Sequence, residues 1–221
     1  MPPLAAVYLF LLGLASGIAV LTVTAYRRVS PPWLKWLLVG SGLLASTRYA
    51  AMAVFATTPS PERWGLLRHG WFATSLSLTL ASVCAIDQLI RHPAMSPRKL
   101  LLWFSPFFLI YMAVILVAPT RLVPDPVSGW AVRLAPGWQG LLAVTHTIFV
   151  IAFLGGCATL IGKIPSKPIR AALLGLAMGQ LLLALDGLLV SVGVWYFRPY
   201  LYSEMLMLLA LWHAYETGAA S

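Results

Sequence analysis

The recurrence of long apolar runs constrains this chain more than any other feature of its sequence. Short polar connections separate seven such runs: residues 4–26, 33–57, 67–90, 100–118, 138–162, 169–195 and 199–215. A helix needs about 17–25 largely apolar residues to cross a hydrocarbon core about 30 Å thick. Spanning backbone must also satisfy its own hydrogen bonds, as a helix does. The sequence therefore predicts an all-α, polytopic membrane protein, with one domain of seven transmembrane helices over residues 1–221.

The composition agrees with a membrane location. Apolar residues make up 60% of the chain and charged residues 10%, whereas soluble domains average about 25% charged residues. The formal net charge of +9 does not indicate nucleic-acid binding, because the basic residues lie in short connections and form no continuous patch. The opening residues MPPLAAVYLF lack a basic region, so we expect the first run to be a membrane helix and not a signal peptide.

The distribution of Lys and Arg predicts the orientation. Connections on one side of the seven runs carry nine basic residues: Arg27, Arg28, Lys35, Arg91, Arg98, Lys99, Lys163, Lys167 and Arg170. The other side carries five: Arg63, Arg68, Arg121, Arg133 and Arg198. Cytoplasmic loops are the more basic ones. We therefore expect the N-terminus outside and the C-terminus in the cytoplasm.

Four ionisable residues interrupt the apolar runs at similar depth. At about 1.5 Å of rise per residue, Arg48 and Asp186 each lie about 14 Å below the outer end of their run. His146 lies about 12 Å deep and Glu204 about 8 Å deep. Tyr49 is adjacent to this layer in sequence. These five residues are the candidate ligand-binding residues.

Asp186 requires a partner, because an ionised Asp at the bilayer centre costs about 2.5–3.5 kcal/mol. Arg48 is the partner that we expect, with Glu204 and His146 in the same polar pocket. Two carboxylates against one permanent cation leave a formal charge of −1, which a protonated His146 or a cationic ligand would balance. Two interpretations stay open: a structural ion pair that joins two helices, or a functional pocket.

Two GxxxG patterns predict close helix packing. Gly13 and Gly17 lie in the first run, and Gly175 and Gly179 lie in the sixth. We expect both to serve packing within the bundle in preference to a dimer interface.

The connection over residues 119–137, PTRLVPDPVSGWAVRLAPG, is the longest and carries four prolines. A long external loop above an outer-half pocket is expected to act either as a lid or binding surface, or as a simple tether.

Several kinds of chemistry lack their signatures. A retinal Schiff base needs a buried lysine in the last helix, but all four lysines (35, 99, 163 and 167) lie in or beside predicted cytoplasmic loops. No Walker A, HExxH or GxSxG motif is present. His69 and His146 differ by about 9 Å in depth, which argues against bis-histidine haem ligation. We therefore expect no enzyme activity, no metal and no cofactor.

The layout resembles the seven-helix membrane sensor domain at the N-terminus of many bacterial histidine kinases and diguanylate cyclases. The resemblance lies in the short outer turn TTPSPERWG, in the basic inner turn and proline-containing helix of RHPAMSPRKLLLWFSPFFLIY, and in the connection KIPSKPIRAALLGL. It implies a bacterial cytoplasmic membrane protein. Because the sequence ends at Ser221, soon after the seventh run, it also implies that signal output passes to a separate partner protein.

Three functions follow as expectations. The first is a receptor-like module that binds a small or lipidic ligand in the outer-half pocket and signals through helix packing. The second is a non-catalytic accessory subunit of a larger membrane complex. The third is a small transporter, which would need polar groups on the inner side of the midplane, where Gln180 alone is evident. Expected partners are membrane lipid and a protein, not nucleic acid.

Overall fold

A computed structural model describes residues 3–58, 62, 65–92, 96–125, 129–191 and 200–220. It contains these helices: α1 (Pro3–Tyr26), α2 (Pro32–Thr57), α3 (Leu67–Gly70), α4 (Ala73–Ile90), α5 (Pro97–Leu116), α6 (Pro136–Lys163), α7 (Lys167–Ser191) and α8 (Leu201–Ala220). Its two strands are β1 (Thr120–Asp125) and β2 (Gly129–Leu134). The predicted end of the sixth run at 195, the predicted start of the seventh at 199, and Arg63 and Arg198 lie outside the described residues.

Six of these helical stretches are long and apolar enough to cross a membrane: Leu4–Tyr26, Pro32–Thr57, Leu67–Ile90, Pro97–Leu116, Pro136–Lys163 and Lys167–Leu189. The chain is accordingly a helical integral membrane protein. The seventh predicted helix exists as α8, which has 20 residues, but its sequence is more polar and it is not among the six. That α8 crosses the membrane stays a prediction.

Proline and serine determine where several helices begin. Proline stands in the first turn of α2, α5 and α6, where its fixed φ suits a helix and its missing N–H is not needed. The Ser96 hydroxyl also accepts a hydrogen bond from the Lys99 N–H at 3.4 Å, which caps α5. The three helices begin slightly before the positions predicted from the apolar runs.

The helix α4 is the centre of the bundle. Sixteen of its 18 residues are buried, and it packs against α2, α5, α7 and α8. The remaining long helices surround it, because α1 packs on α2 and α8, α6 packs on α5 and α7, and α7 packs on α8. A helix enclosed in this way meets protein on all sides, so it can carry more hydroxyl side chains than a helix that faces lipid.

The two GxxxG patterns have different surroundings. A Cβ at Gly179 would lie 2.5 Å from the Met207 sulfur and 3.2 Å from its Cα, and one at Gly175 would lie 3.7 Å from Ala210. This pattern therefore serves the contact between α7 and α8, as predicted. A Cβ added at Gly13 or Gly17 would meet no neighbouring helix within 4 Å among the described residues. For that part of the chain, the prediction that these two glycines pack within the bundle is wrong.

The long connection corrects the all-α prediction. Strands β1 and β2 form an antiparallel hairpin with Thr120 opposite Leu134 and Asp125 opposite Gly129. Its apolar side packs on α2 and on the chain around α3, in a cluster built on Ala51, Phe55, Val132, Leu67, Trp71, Phe72, Leu122 and Trp130. We call this end of the bundle the hairpin end, and the opposite end the basic end.

We predict that Gly179→Ala lowers the free energy of unfolding by about 1–3 kcal/mol, because the added methyl group overfills the contact between α7 and α8. Gly175→Ala serves as the matched control, since its methyl group meets Ala210 at an ordinary distance. The gain in helix propensity is the same at both sites and cancels in the comparison. Thermal unfolding in detergent measures both variants, and equal losses would contradict the packing described here.

Candidate functional site

A buried ion pair joins α2 to α8. The Arg48 Nε atom lies 2.9 Å from Oε1 and 3.1 Å from Oε2 of Glu204. The two side chains are only 8% and 3% exposed. Arg48 therefore pairs with Glu204, and the prediction of Asp186 as its ion-pair partner is wrong. The depth estimates placed all three residues in one layer, but they did not give the direction in which each side chain points.

Two further groups complete the surroundings of the pair. The Thr74 hydroxyl of α4 donates a hydrogen bond to Oε1 of Glu204 at 2.8 Å. Arg48 donates a second hydrogen bond through Nη1 to the Trp71 carbonyl, and its Cζ atom lies 5.8 Å from the centre of the Trp71 ring. A buried ion pair offsets its desolvation cost only when additional hydrogen bonds satisfy it. Here those bonds come from α4 and from the segment just before it.

The Trp71 carbonyl is accessible because the third predicted helix is broken. The run 67–90 forms the short α3 and then α4, and the Ser75 N–H bonds to the Phe72 carbonyl at 3.2 Å. The Trp71 carbonyl does not take part in that hydrogen bond and can accept from Arg48. Gly70 permits the close approach of α3 to α2, because a Cβ there would lie 3.1 Å from the Thr47 hydroxyl.

Asp186 caps the start of α8. Its Oδ2 accepts a hydrogen bond from the Tyr200 backbone N–H at 3.0 Å and another from the Ser203 hydroxyl. The first N–H groups of a helix lack partners within the helix, and a carboxylate there also interacts favourably with the helix dipole. Asp186 is 7% exposed, and these contacts give its charge a structural explanation different from the one predicted.

Two tyrosines lie close to the charged groups of this site. Tyr200 lies within electrostatic reach of Arg48, Asp186 and Glu204. Tyr49 is 1% exposed. Its hydroxyl lies beside the Glu204 carboxylate, but among the described residues it makes no hydrogen bond of normal geometry. We call Arg48, Tyr49, Thr74, Asp186 and Glu204, together with Tyr200 and Ser203, the polar cluster.

The structure does not bring His146 into the polar cluster. Its Nδ1 lies 3.1 Å from the Tyr111 hydroxyl of α5, and its ring stacks on Phe149 at 6.3 Å between centroids. Its contacts within the described residues are thus to α5 and to its own helix α6. His146 therefore lies at the contact between these two helices.

Sequence reasoning missed Thr74, Ser203 and the Trp71 carbonyl. Ser203 had a usable signal, since it precedes Glu204 at the start of a predicted helix, where serine commonly binds backbone or carboxylate groups. The break in the helix at Trp71 had a weaker sequence signal, which is the glycine just before it, Gly70. Among the described residues, no group of three or more His, Cys, Asp or Glu side chains is placed to hold a metal ion.

The fold and the polar cluster define a helical membrane protein with a buried charge network near one end of its bundle. The chain matches no model of a known protein family, and no curated protein matches it either. The interpretation of the polar cluster therefore rests on its geometry.

We predict strong energetic coupling between Arg48 and Glu204. Arg48→Gln and Glu204→Gln should each lower the free energy of unfolding by about 3–5 kcal/mol, because each leaves a buried charge without its partner. The double variant should lose much less than the sum of the two.

The control for this cycle combines Arg48→Gln with Asp186→Asn. We expect that pair to be more nearly additive, because Asp186 binds the start of α8 and not the guanidinium. Unfolding in a detergent series measures all variants. Additive losses for Arg48 and Glu204 would contradict the pairing.

Proposed function

We propose that the protein is a receptor-like membrane module in which a small or lipidic ligand acts at the polar cluster and changes the packing of α8. One observation carries this proposal: the hydrogen bonds of the cluster converge on the start of α8. Glu204, Ser203 and the Tyr200 N–H all lie there, and they contact α2, α4 and α7. A ligand that alters any of these contacts therefore acts on α8 directly.

The helix α8 is suited to transmit such a change along the bundle. Its 20 residues span about 30 Å at 1.5 Å per residue. At the basic end it has polar contacts again, since Arg28 pairs with Glu216 and Arg91 donates to the Gly218 carbonyl at 2.6 Å. A ligand shifts the population of two packings only when it binds them with different affinity. A ligand at the polar cluster meets that condition if it displaces the contacts that hold α8 in one of the two packings.

The Tyr49 hydroxyl supports a ligand with a hydrogen-bonding group. It is a buried polar group beside the Glu204 carboxylate that makes no hydrogen bond of normal geometry to the described residues, and such groups are normally satisfied. A ligand with a donor or acceptor near Tyr49 would satisfy it and would also compete for Glu204. In the predicted orientation the hairpin end faces outward, the ligand comes from outside, and α8 delivers the change to a cytoplasmic signalling partner in a bacterial membrane.

A second candidate function is that of an accessory subunit. The face of α1 that carries Gly13 and Gly17 has no described neighbour within 4 Å of an added Cβ. Small-residue faces of this kind let helices from another protein approach closely in lipid. This observation favours a partner helix in the membrane, whichever function the polar cluster serves.

Native mass spectrometry after extraction in a lipid-preserving polymer tests the proposal. We expect wild-type protein to retain a small molecule that the double variant Arg48→Gln/Glu204→Gln loses. The matched control is Ser82→Ala/Gln180→Leu, which removes a buried hydrogen bond between α4 and α7 and should keep that molecule. Identical bound species in all three proteins would contradict ligand binding at the cluster, and copurification with other membrane subunits in fixed stoichiometry would favour the accessory role.

A further inference from the structure

A polar cavity lies at the basic end, far from the polar cluster. Its volume is about 480 Å³, and it is bounded by the turn between α1 and α2, the last turn of α4 and the start of α5. Arg28, Asp87, Gln88, Arg91 and Ser96 line it. We call it the head cavity.

An apolar groove follows the same three helices further into the bundle. Its volume is about 440 Å³, and it lies between α2 and α5 with α4 as its floor. Trp36, Gly40 and Leu44 line one side, and Phe108 and Met112 line the other. We call it the chain groove.

The head cavity and the chain groove are aligned along one seam. On α5, Pro97 lines the head cavity, and residues from Ser105 to Met112 line the groove. At 1.5 Å per residue the groove therefore lies about 12–22 Å along the helix from the cavity. Half of a hydrocarbon core is about 15 Å thick, so the groove begins within the leaflet nearest the cavity and extends past the midplane. Near the start of α5, the Arg98 guanidinium stacks over the Trp33 ring of α2 at 5.7 Å.

The charges around the head cavity favour an anion. Arg28, Arg91 and Asp87 line the cavity, and Glu216 pairs with Arg28. Three further basic residues, Arg27, Arg98 and Lys99, stand within two residues of a lining residue in the sequence. Both acidic groups already have partners, because Asp87 accepts from the Gln88 amide at 3.0 Å and Glu216 pairs with Arg28.

The arginines and the start of α5 supply the donors that an anion needs. Arg91 donates one hydrogen bond to Gly218, and a guanidinium has five N–H donors in all. The first turn of α5 has no acidic residue, although the positive end of a helix dipole favours a negative charge there.

We propose that this seam binds one anionic membrane phospholipid, with its phosphate in the head cavity and one acyl chain in the chain groove. Basic pockets between transmembrane helices are known to hold anionic headgroups, and this one has an apolar groove further along the same helices. The proposal is independent of ligand binding at the polar cluster, because none of its residues belongs to that cluster.

The experiment compares lipids and variants by native mass spectrometry of detergent-purified protein after addition of phosphatidylglycerol or phosphatidylcholine. Gly40→Leu should narrow the groove, since Gly40 lines it and no described atom of a neighbouring element lies within 4 Å of an added Cβ. Gly155→Leu is the matched control, because Gly155 has equally open surroundings on α6. Arg91→Gln removes a guanidinium from the head cavity, and Lys163→Gln removes an exposed basic residue at the end of α6.

We expect wild-type protein to retain one phosphatidylglycerol in preference to phosphatidylcholine. Gly40→Leu and Arg91→Gln should each lower that retention by about tenfold, which is the effect of losing one charge-assisted or well-packed contact. Both control variants should retain the lipid as wild type does. Melting temperatures without added lipid establish that each variant is folded.

Three results would overturn the proposal. Equal retention of the two lipids would mean that the headgroup is not recognised. Unchanged retention by Gly40→Leu would mean that no acyl chain occupies the groove. A melting temperature raised as much by inorganic phosphate as by phosphatidylglycerol would mean that the cavity is a phosphate site without a lipid.

Discussion

A buried guanidinium in a bilayer must find its partners within the protein, and the hairpin end is organised around that requirement for Arg48. Its charge is balanced by Glu204 of α8, and its second donor is taken by a carbonyl that the break between α3 and α4 makes accessible. Thr74 binds the same carboxylate from α4. One side chain thus fixes the relative positions of α2, α8 and the start of α4, because moving any of them would leave a buried charge or polar group unsatisfied.

Buried polar groups need partners within the protein, and this requirement also explains why α8, the most polar of the long helices, packs into the bundle. The helix α8 packs against α1, α4 and α7, so many of its side chains meet protein and not lipid. Its backbone and polar groups are bonded to those neighbours: the Thr22 hydroxyl of α1 donates to the Leu208 carbonyl at 3.1 Å, and the Tyr215 hydroxyl donates to the Ala81 carbonyl at 2.8 Å. Hydropathy measures how well a helix suits contact with lipid. Because many side chains of α8 contact protein, its hydropathy is lower than that of the six spans described above.

Sequence reasoning recovered the helices well and the side-chain partners less well, for a physical reason. The thickness of the membrane fixes the length of each apolar run, so the helices were predictable. The rise per residue placed Arg48 and Glu204 in one layer, and the structure does bring these two residues together. The rotation of a helix about its own axis decides which side chains face each other, and packing sets that rotation. A helix that is apolar on every face gives no sign of this rotation in its sequence. Asp186 and His146 were therefore assigned partners other than those that they contact in the structure.

The break at Trp71 and the hairpin were not predicted for another reason: neither changes the apolar content of its segment. Leu67–Ile90 remains long and apolar enough to span a membrane, although the chain leaves the helix for two residues. The hairpin strands TRLVPD and GWAVRL are short, and proline interrupts the first. Their stability comes from packing on Phe55 and Trp71, which is a tertiary contact and not a local preference.

The two proposed sites meet in α8. The polar cluster holds the start of this helix, and the arginines that line the head cavity hold its other end through Glu216 and Gly218. A phosphate that draws Arg28 or Arg91 toward the cavity competes with those contacts. Linkage is reciprocal: if the bound lipid favours one position of α8, then a ligand at the polar cluster that favours the same position must bind more tightly in membranes rich in that lipid. The geometry of a single helix with polar contacts at both ends is sufficient for such coupling, and it requires no rearrangement of α4 at the centre of the bundle.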